Sequence, residues 1–180
     1  VHDKSERVAD LAESIAKQID GDESLARRAA MLAKCDLVTE MVGEFPDLQG
    51  IMGRYYAQLD GEHDEVSEAL DEQYLPRFAG DKLPQTRTGQ ALSLAEKIDT
   101  LVGLFSIGQP PTGVKDPFAL RRAALGVLRI IIENNLRLDL ETLLTSALNN
   151  LGDIATEKDC VDAVMQYLFE RLRGYALEHG

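Results

Sequence analysis

The sequence predicts an all-α fold, and three observations support this prediction. Apolar residues recur at spacings of three and four along almost the whole chain, which is the period of an amphipathic helix. No segment alternates apolar and polar residues between hairpin turns, and aromatic residues make up only 6% of the chain. No internal repeat of roughly 20–50 residues is visible. We therefore expect about eight helices.

The first part of the chain carries the pattern of five helices. The first two apolar stripes consist of Val8, Leu11, Ile15 and Ile19, and then of Leu25, Ala29, Leu32, Val38, Met41 and Val42. Pro46 ends the second helix, because proline disfavours helical geometry in the residue before it. Asp47 is placed to cap a short third helix within DLQGIMGRYYAQL. Helical patterns then span 64–78 and 90–105, on either side of the loop AGDKLPQTRTG.

The strongest helix breaker is SIGQPPTGVKDP, which no helical pattern crosses. We place the boundary between two helical domains there, with the first domain at 1–110 and the second at 111–180. Asp116 is predicted to cap the next helix, with Pro117 in its first turn. The helices predicted after the breaker are 117–134, 139–149 and 156–177.

The net charge of −12 argues against general coating of nucleic acid, because non-specific binding depends on Lys and Arg that displace counterions from phosphate. Charge is unevenly distributed along the chain. Residues 60–72, DGEHDEVSEALDE, hold seven acids and neither Lys nor Arg, whereas residues 111–137 have a local balance of +3. The basic segment 111–137 is therefore the candidate partner surface.

The cellular setting is predicted from three further features. No apolar run approaches the roughly 20 residues that span a bilayer, and the charged start VHDKSERVAD is unlike a signal peptide. Cys35 and Cys160 lie far apart and lack the spacing of a zinc site. We expect a cytoplasmic protein with reduced thiols and no membrane partner. A first residue other than Met, and an end within a helical pattern, predict a piece of a longer polypeptide.

Cys35 and Asp36 are the first candidates for chemistry. A cysteine nucleophile needs a nearby histidine as its base, but the three histidines lie near the termini or in the acidic run. We therefore expect Cys35 to be buried and inert. Asp36 and Glu96 could converge from different helices, but two carboxylates without a histidine make a poor transition-metal site. Ion pairing or capping is the expected role of both.

A second candidate is Arg54 with Tyr55 and Tyr56, which combines a positive charge with rings that stack on the bases of single-stranded RNA. The alternative, which we favour, is half-buried tyrosines beside one surface arginine. The preceding GIMG, Gly50–Gly53, has the spacing of the loop that clamps RNA in KH domains. That loop belongs to an α/β module, so we expect these glycines to permit close helix packing.

The densest basic group consists of Lys115, Arg121 and Arg122, beside the predicted start of a helix at Asp116-Pro117. Helix N-termini favour phosphate, because their backbone N–H groups are unpaired and the helix dipole is positive there. The alternative for each arginine is an ion pair with an acid on a neighbouring helix, which in so acidic a chain is at least as well supported.

Three stretches are more specific than any of these motifs: KCDLVTEMVGEFPDLQGIMGRYYA (34–57), ALSLAEKIDTLVGLFSIGQPPTG (91–113) and KDPFALRRAALGVLRIIIENNLRLDL (115–140). In their order and spacing they resemble the middle region of the β subunit of bacterial glycyl-tRNA synthetase. The resemblance covers essentially the whole chain.

That family is known to contain a domain similar to the HD phosphohydrolases, whose motif can be followed here. HD enzymes open with His-Ser-x-Arg-Val-Ala, and this chain has KSERVA, so Lys4 stands at the first histidine position. Cys35-Asp36 stands at the namesake His-Asp pair, and Glu96 follows Ala95 at the late Ala-Asp element. An HD site activates water on a metal held by imidazole and carboxylate together. The resemblance therefore implies that Lys4, Cys35, Asp36 and Glu96 are relict positions of an HD site. It implies that they bind no metal and include no catalytic residue.

The resemblance also implies the function of the intact enzyme, which uses ATP to join glycine to its tRNA as a cytoplasmic heterotetramer of two α and two β subunits. ATP and Mg would bind to the α subunit, and this chain would hold no cofactor. Residues 1–110 would form an HD-like helical core, and residues 111–180 a helical body segment that stops before the anticodon-binding region. The expected partners are tRNA-Gly and the α subunit, with no DNA.

Under this interpretation the chain binds tRNA, with the acidic run 60–72 facing away from the RNA. The expected phosphate contacts are Lys115, Arg121 and Arg122. The expected base contacts are Arg54 and Tyr55. Two alternatives stay open. One is a helical scaffold without RNA contact, and the other is an HD-type metal-dependent phosphohydrolase.

Overall fold

The computed structural model describes residues 2–157 and 159–180. In these residues it contains nine α-helices and no β-strand, so the all-α prediction is confirmed. The α-helices are α1 (His2–Gln18), α2 (Glu23–Leu32), α3 (Glu40–Glu44), α4 (Ile51–Leu59), α5 (Asp64–Glu72), α6 (Arg87–Ser106), α7 (Leu120–Glu133), α8 (Leu140–Leu151) and α9 (Cys160–His179). Short 3-10 helices span Cys35–Val38, Pro46–Leu48 and Gly152–Ile154. None of the described helices is long and apolar enough to cross a membrane.

The chain divides into two compact units, Val1–Glu96 and Lys97–Gly180. This division falls within α6, whereas the sequence placed a boundary in the proline- and glycine-rich loop that follows this helix. The loop does interrupt the helical structure, because α6 ends at Ser106 and α7 begins at Leu120. The assignment of 1–110 to an HD-like domain and of 111–180 to a helical body segment stays a prediction.

The first unit is built on helix pairs, in which α1 packs against α2, and α5 packs against both α2 and α4. The apolar stripe of α1 is buried, as its spacing predicted. The core of this unit includes Val8, Leu11, Ile15, Ala26, Ala29, Val66, Leu70, Leu92 and Leu94. Burial of this apolar area is the main favourable contribution to the folding of the unit.

The second predicted helix is wrong in its extent, because α2 ends at Leu32 and the 3-10 helix Cys35–Val38 follows. Thr39 then caps α3, since its hydroxyl oxygen accepts a hydrogen bond from the N–H of Val42 at 3.3 Å. The apolar spacing continues across this break, but Val38 is 89% exposed. The prediction from periodicity alone therefore merged α2 and α3, which are separate helices in the structure.

Two other predicted boundaries also differ from the structure. Asp47 lies in a 3-10 helix and does not cap α4, which begins after Gly50 with a φ of +81°. α5 ends at Glu72 and not near residue 78. Its C-cap residue is Gln73, and Pro76 follows three residues later. The segment between α5 and α6 is therefore a long connection rather than one more helical turn.

In the second unit, α7 and α8 both pack against α9. The core of this unit includes Leu101, Val102, Leu120, Val127, Ile130, Leu143, Leu144, Val164 and Leu168. α7 begins at Leu120, so the prediction of a helix start at Pro117 is wrong. Asp116 nevertheless caps the helix, because its carboxylate accepts hydrogen bonds from the N–H groups of Leu120 at 2.8 Å and Arg121 at 3.0 Å. The turn between Asp116 and the start of α7 ends at Ala119, which has a φ of +54°.

Candidate functional site

The four relict positions line two different cavities in the first unit. Lys4 and Glu96 line a cavity of about 180 Å³. Cys35 and Asp36 line another cavity of about 290 Å³. The structure therefore brings the positions together in pairs. Among the described residues, no group of three or more His, Cys, Asp and Glu side chains converges in a way that would hold a metal ion.

The smaller cavity contains a cluster of two lysines around one carboxylate. The Nζ atoms of Lys4 and Lys34 lie 3.0 and 3.6 Å from the same Glu96 oxygen, Oε1. Lys34 also donates a hydrogen bond to Gln73 Oε1 at 2.9 Å, and its Nζ lies 4.6 Å from the centre of the Tyr74 ring. The ion-pair role expected for Glu96 is confirmed. Sequence reasoning missed Lys34, which supplies a second ammonium group beside the relict position Lys4.

Burial shifts the pKa values of two groups in this cluster. It lowers the pKa of Lys34, because the charged ammonium loses solvation, although Glu96 opposes this shift. Burial also raises the pKa of the Tyr74 phenol well above its ordinary value, and the negative charges of Asp36 and Glu96 raise it further. The cluster is thus a partly desolvated ion-pair network, in which the ammonium group of Lys4 stands where the resemblance assigns a histidine ligand in HD enzymes.

Asp36 is held by the backbone of the GIMG segment. It is 3% exposed, and its Oδ2 accepts hydrogen bonds from the N–H groups of Gly50 at 2.7 Å and Gly53 at 3.2 Å. A Cβ at Gly53 would lie 3.2 Å from this oxygen, and a Cβ at Gly50 would lie 2.7 Å from the Tyr74 ring. The prediction that these glycines permit close packing is confirmed, as is the capping role expected for Asp36.

Cys35 is exposed, so the expectation of a buried cysteine is wrong. The helix expected to bury it ends at Leu32, and its Sγ lies 3.9 Å from the Met31 carbonyl oxygen. Cys160 is buried, and desolvation raises the pKa of its thiol. Of the two thiols, Cys35 is therefore the one that solvent reaches.

Arg54 and Tyr55 lie on α4 beside acids of α5. Arg54 Nη1 lies 3.4 Å from Asp71 Oδ2 and 3.7 Å from Glu68 Oε2. Its guanidinium carbon lies 5.2 Å from the centre of the Tyr55 ring, and Tyr55 is 50% exposed. The alternative of half-buried tyrosines beside a surface arginine fits Tyr56, which is half-buried, but Arg54 is half-buried too and Tyr55 is exposed. The tRNA contact at Arg54 and Tyr55 stays a prediction, in which RNA would compete with two carboxylates.

The acidic run 60–72 serves mainly as a source of internal partners. Arg28 pairs with Glu62, and Arg77 pairs with Asp71 at 3.1 Å. Three of the seven acids pair with arginines, namely Glu62, Glu68 and Asp71. Two more, Glu65 and Glu72, accept hydrogen bonds from the hydroxyls of Thr88 and Thr86. Sequence reasoning missed this use of the run, because it counted charge without placing the cations of other segments beside it. That the run faces away from RNA stays a prediction.

The basic group of the second unit surrounds a turn that is bonded to the start of α7. Thr112 and Lys115 exchange two backbone hydrogen bonds, at 3.1 and 2.8 Å, and the guanidinium of Arg121 donates a hydrogen bond to the Gly113 carbonyl. Lys115 and Arg122 are exposed, while Arg121 is half-buried. The Asp116 carboxylate already binds the N–H groups that sequence reasoning offered to phosphate. Two of the N–H groups at the start of α7 are therefore already bonded. The tRNA contact at these three residues stays a prediction that rests on their charge.

Arg171 also lies near this basic group, and the sequence did not predict it. The Arg171 guanidinium carbon lies 5.6 Å from the centre of the Tyr167 ring on α9. Burial raises the pKa of the Tyr167 phenol, on which the charges of Arg171, Asp116 and Arg121 also act. Helix phase within α9 does not reveal which other helix Arg171 approaches, so no signal in the sequence indicated this grouping.

Comparison with known proteins places the chain in a family. All of residues 1–180 match the family model described as glycyl-tRNA synthetase beta subunit. The glycine–tRNA ligase beta subunits of Marinobacter nauticus, Chromohalobacter salexigens and Haemophilus influenzae are 59%, 55% and 53% identical to it. These alignments cover 100%, 99% and 99% of this chain but 26% of each relative, so the chain spans about a quarter of their length. The chain belongs to the glycyl-tRNA synthetase β-subunit family.

Proposed function

We propose that this chain acts as part of the β subunit of a glycyl-tRNA synthetase, in which it supports the ATP-dependent attachment of glycine to tRNA-Gly. The observation that carries this proposal is the family match over all of residues 1–180. In the proposal, an α subunit binds ATP and Mg and performs the adenylation, in an α2β2 assembly in the cytoplasm. This part of the β subunit contributes tRNA binding and subunit architecture.

We also propose that the relict HD positions take no part in catalysis. Two observations support this. Lys4 places an ammonium group 3.0 Å from Glu96, where a metal ion would meet electrostatic repulsion. Asp36 uses one carboxylate oxygen to bind two backbone N–H groups. The phosphohydrolase alternative is not favoured, because the family match is to a tRNA ligase subunit.

In the proposed RNA interface, the exposed side chains of Lys115 and Arg122 contact backbone phosphates. Arg121 has a mixed role, because its bond to the Gly113 carbonyl holds the turn that carries Lys115. Each phosphate contact releases counterions, so the logarithm of the affinity should fall with the logarithm of salt concentration by about 0.7–0.9 per contact. A scaffold that docks through apolar contacts would show almost no such dependence.

The test is a titration of the chain with tRNA-Gly and with a non-cognate tRNA at several salt concentrations. The variant is Lys115→Glu with Arg122→Glu, which leaves the Arg121 bond to the turn in place. Its matched control is Lys17→Glu with Lys82→Glu, since both residues are exposed, both lie outside the segment 111–137, and the change in net charge is the same. Circular dichroism and thermal unfolding establish that all variants fold.

Salt-sensitive binding that the first variant loses and the control retains is the expected result. Equal losses in both variants would show that net charge, and not this surface, governs the affinity. Absence of binding by the parent chain at low salt would leave the scaffold as the function of this part of the subunit.

A further inference from the structure

The segment 35–49 of the first unit has only two buried side chains, those of Asp36 and Val42. Its large apolar residues are mostly exposed, and four of them, which we call the 37–45 patch, are between 42% and 89% exposed: Leu37, Val38, Met41 and Phe45. Single exposed apolar residues are normal, but a group of them in one place is typical of an interaction site. We propose that the 37–45 patch is the docking surface for a segment of the β subunit that lies outside this chain and carries Lys and Arg beside its own apolar side chains.

The residues of the patch lie on elements that pack against one another. Leu37 and Val38 are the last two residues of the first 3-10 helix, Met41 lies in α3, and Phe45 follows α3 directly. α3 packs against the 3-10 helices on either side of it in the chain. The N–H of Phe45 donates a hydrogen bond to the Met41 carbonyl at 2.9 Å, so these two residues are one helical turn apart. The four side chains thus belong to one local surface.

This surface is held in place without a partner. Asp36 Oδ2 accepts hydrogen bonds from the N–H groups of Gly50 and Gly53, and the Thr39 hydroxyl donates one to the Asp36 carbonyl at 2.6 Å. The Thr39 hydroxyl oxygen also accepts a hydrogen bond from the N–H of the buried Val42. A surface whose backbone is already ordered loses little conformational entropy on binding, so more of its apolar burial contributes to affinity.

The charge around the patch restricts the chemistry of the partner. Glu40, Glu44 and Asp47 are exposed, and residues 35–53 contain neither Lys nor Arg. These acids repel the phosphates of RNA, and in a symmetric dimer formed through the patch they would face the same acids of the second copy. A segment with Lys and Arg beside apolar side chains matches the surface, because interfaces commonly place apolar groups at the centre and polar groups at the rim.

The rest of the β subunit is the best placed source of such a segment. The chain covers 26% of the Marinobacter nauticus relative, so about three quarters of that polypeptide lie outside the matched part. Linked segments meet at an effective concentration that reaches about millimolar, which favours them over a separate protein of equal complementarity. The inference rests on the proposed place of the chain in a β subunit, but not on its proposed binding of tRNA.

The experiment uses a chimera in which this chain replaces the matching part of the Marinobacter nauticus β subunit, to which it is 59% identical. Hydroxyl-radical footprinting with mass spectrometry measures the oxidation rates of Met41 and Phe45 in the chimera and in the 180-residue chain. Because oxidation follows the population in which the patch is open, docking that leaves it open for about a tenth of the time should slow both rates about tenfold. Chimeras with the Chromohalobacter salexigens and Haemophilus influenzae subunits provide the same comparison if the first does not fold.

A cross-link then identifies the occupant of the patch. The photoreactive residue p-benzoylphenylalanine is incorporated at position 38 of the chimera, and mass spectrometry locates the peptide to which it couples. We expect coupling within the same polypeptide, outside residues 1–180, to a segment that contains Lys or Arg. The yield should not change with protein concentration, because the contact is intramolecular.

Charge reversal tests the acids beside the patch. In the chimera, Glu40→Lys with Glu44→Lys should raise the oxidation rate of Met41 to that of the isolated chain. The matched control is Asp3→Lys with Asp60→Lys, since both residues are exposed acids of the first unit and the change in net charge is the same. The control should leave the rate as it is in the parent chimera, and circular dichroism establishes that each variant folds.

Unchanged oxidation of Met41 and Phe45 in a folded chimera would overturn the inference. So would coupling only to a second copy, or only to the α subunit or tRNA once these are added, and so would equal effects of the two charge reversals. Glycylation of tRNA-Gly by the chimera with the Marinobacter nauticus α subunit is measured separately. An active chimera with an uncovered patch would overturn this inference and leave the proposed function standing.

Discussion

The carboxylate of Glu72 lies directly against the backbone of Gly89, and the space between them is too small for any side chain on the glycine. Glu72 is 8% exposed and accepts hydrogen bonds from the N–H of Gln85 at 2.8 Å and the hydroxyl of Thr86 at 2.6 Å. Thr86 in turn accepts a hydrogen bond from the N–H of Gly89 at 2.9 Å. An acid of α5 thus stabilises the first turn of α6, where the helix dipole favours a negative charge.

The substitution Gly89→Ala should destabilise the first unit. The new methyl group would overlap Glu72, whose carboxylate cannot move without losing its bonds to Thr86 and Gln85. We expect a loss of about 1–3 kcal/mol in the free energy of unfolding, which is the usual cost of overpacking. Urea unfolding followed by circular dichroism measures this loss.

Gly103→Ala is the matched control for that substitution. Gly103 lies in the same helix, but a Cβ there would have no described atom within 4 Å. Since alanine is the better helix former, we expect this variant to gain up to about 1 kcal/mol. Equal effects at the two glycines would contradict the assignment of the Gly89 effect to Glu72.

The protonation of Glu72 should make the stability of the chain depend on pH. Burial raises the pKa of Glu72 above its ordinary value of 4.5, although its hydrogen bonds with Thr86 and Gln85 oppose this shift. Because the folded state then binds the proton more tightly than the unfolded state, the contribution of Glu72 to stability is full below 4.5 and is lost as pH rises through the folded pKa.

Glu72→Gln removes this titration and isolates its contribution. We expect the stability of the parent minus that of the variant to fall as pH rises from 4 to 7, measured by urea unfolding at each pH. Glu40→Gln, at an exposed acid, should give a nearly constant difference over the same range. A difference for Glu72 that rises with pH would mean that hydrogen bonding outweighs burial at this carboxylate.

The helices that the sequence predicted well are those with one continuous buried stripe. α1 has Val8, Leu11 and Ile15 at helical spacing, and all three are buried. α8 likewise begins directly after Asp139, whose carboxylate accepts a hydrogen bond from the N–H of Thr142 at 3.1 Å. In these helices a local signal and the tertiary packing agree, so periodicity was sufficient to predict them.

The candidate site was less accessible to sequence reasoning, because its geometry depends on how separate helices pack. The resemblance identified Lys4 and Glu96 as related positions, and the structure joins them in an ion pair. Nothing in the spacing showed that Lys34 would contact the same Glu96 oxygen, or that Cys35 would line a different cavity. Those relationships arise from the break after Leu32, where the apolar pattern continues although the helix does not.

Gly50 provides a further test of the packing around Asp36. Its φ is +81°, and a Cβ there would lie 2.7 Å from the Tyr74 ring and 2.9 Å from the Leu70 carbonyl oxygen. Gly61 has a similar φ of +78°, but no described atom lies within 4 Å of a Cβ at that position. Gly61→Ala should therefore cost about 1–2 kcal/mol from backbone strain alone.

Gly50→Ala should cost at least about 1 kcal/mol more than Gly61→Ala, because overlap with Tyr74 adds to the strain. Thermal unfolding of the two variants beside the parent measures the difference. It also reports on Asp36, since a shift of the Gly50 backbone would lengthen the hydrogen bond that its N–H donates to the carboxylate. Equal costs would show that Tyr74 can move aside without loss of stability.

Histidines placed at positions 4 and 35, where the resemblance to HD enzymes assigns them, should not create a metal site. In the variant Lys4→His with Cys35→His, the two new imidazoles would start from positions that line different cavities, and one Asp36 oxygen would still bind the Gly50 and Gly53 N–H groups. A metal ion requires its ligands to converge within about 2.0–2.2 Å of one point. Thermal unfolding with and without Mn²⁺ or Zn²⁺ should therefore show no stabilisation of this variant beyond that of the parent.

The opposite result would be easily detected. A metal present at 100 times its dissociation constant stabilises the folded state by about 2.7 kcal/mol, which corresponds to a rise of roughly 5–10 °C in Tm for a chain of this size. Such a rise in the double variant, reversed by a chelator and absent from the Lys4→His single variant, would mean that the side chains of positions 4 and 35 can reach a common point. The loss of metal ligands, rather than the packing around Asp36 and Glu96, would then be what separates this chain from a metal-binding HD site.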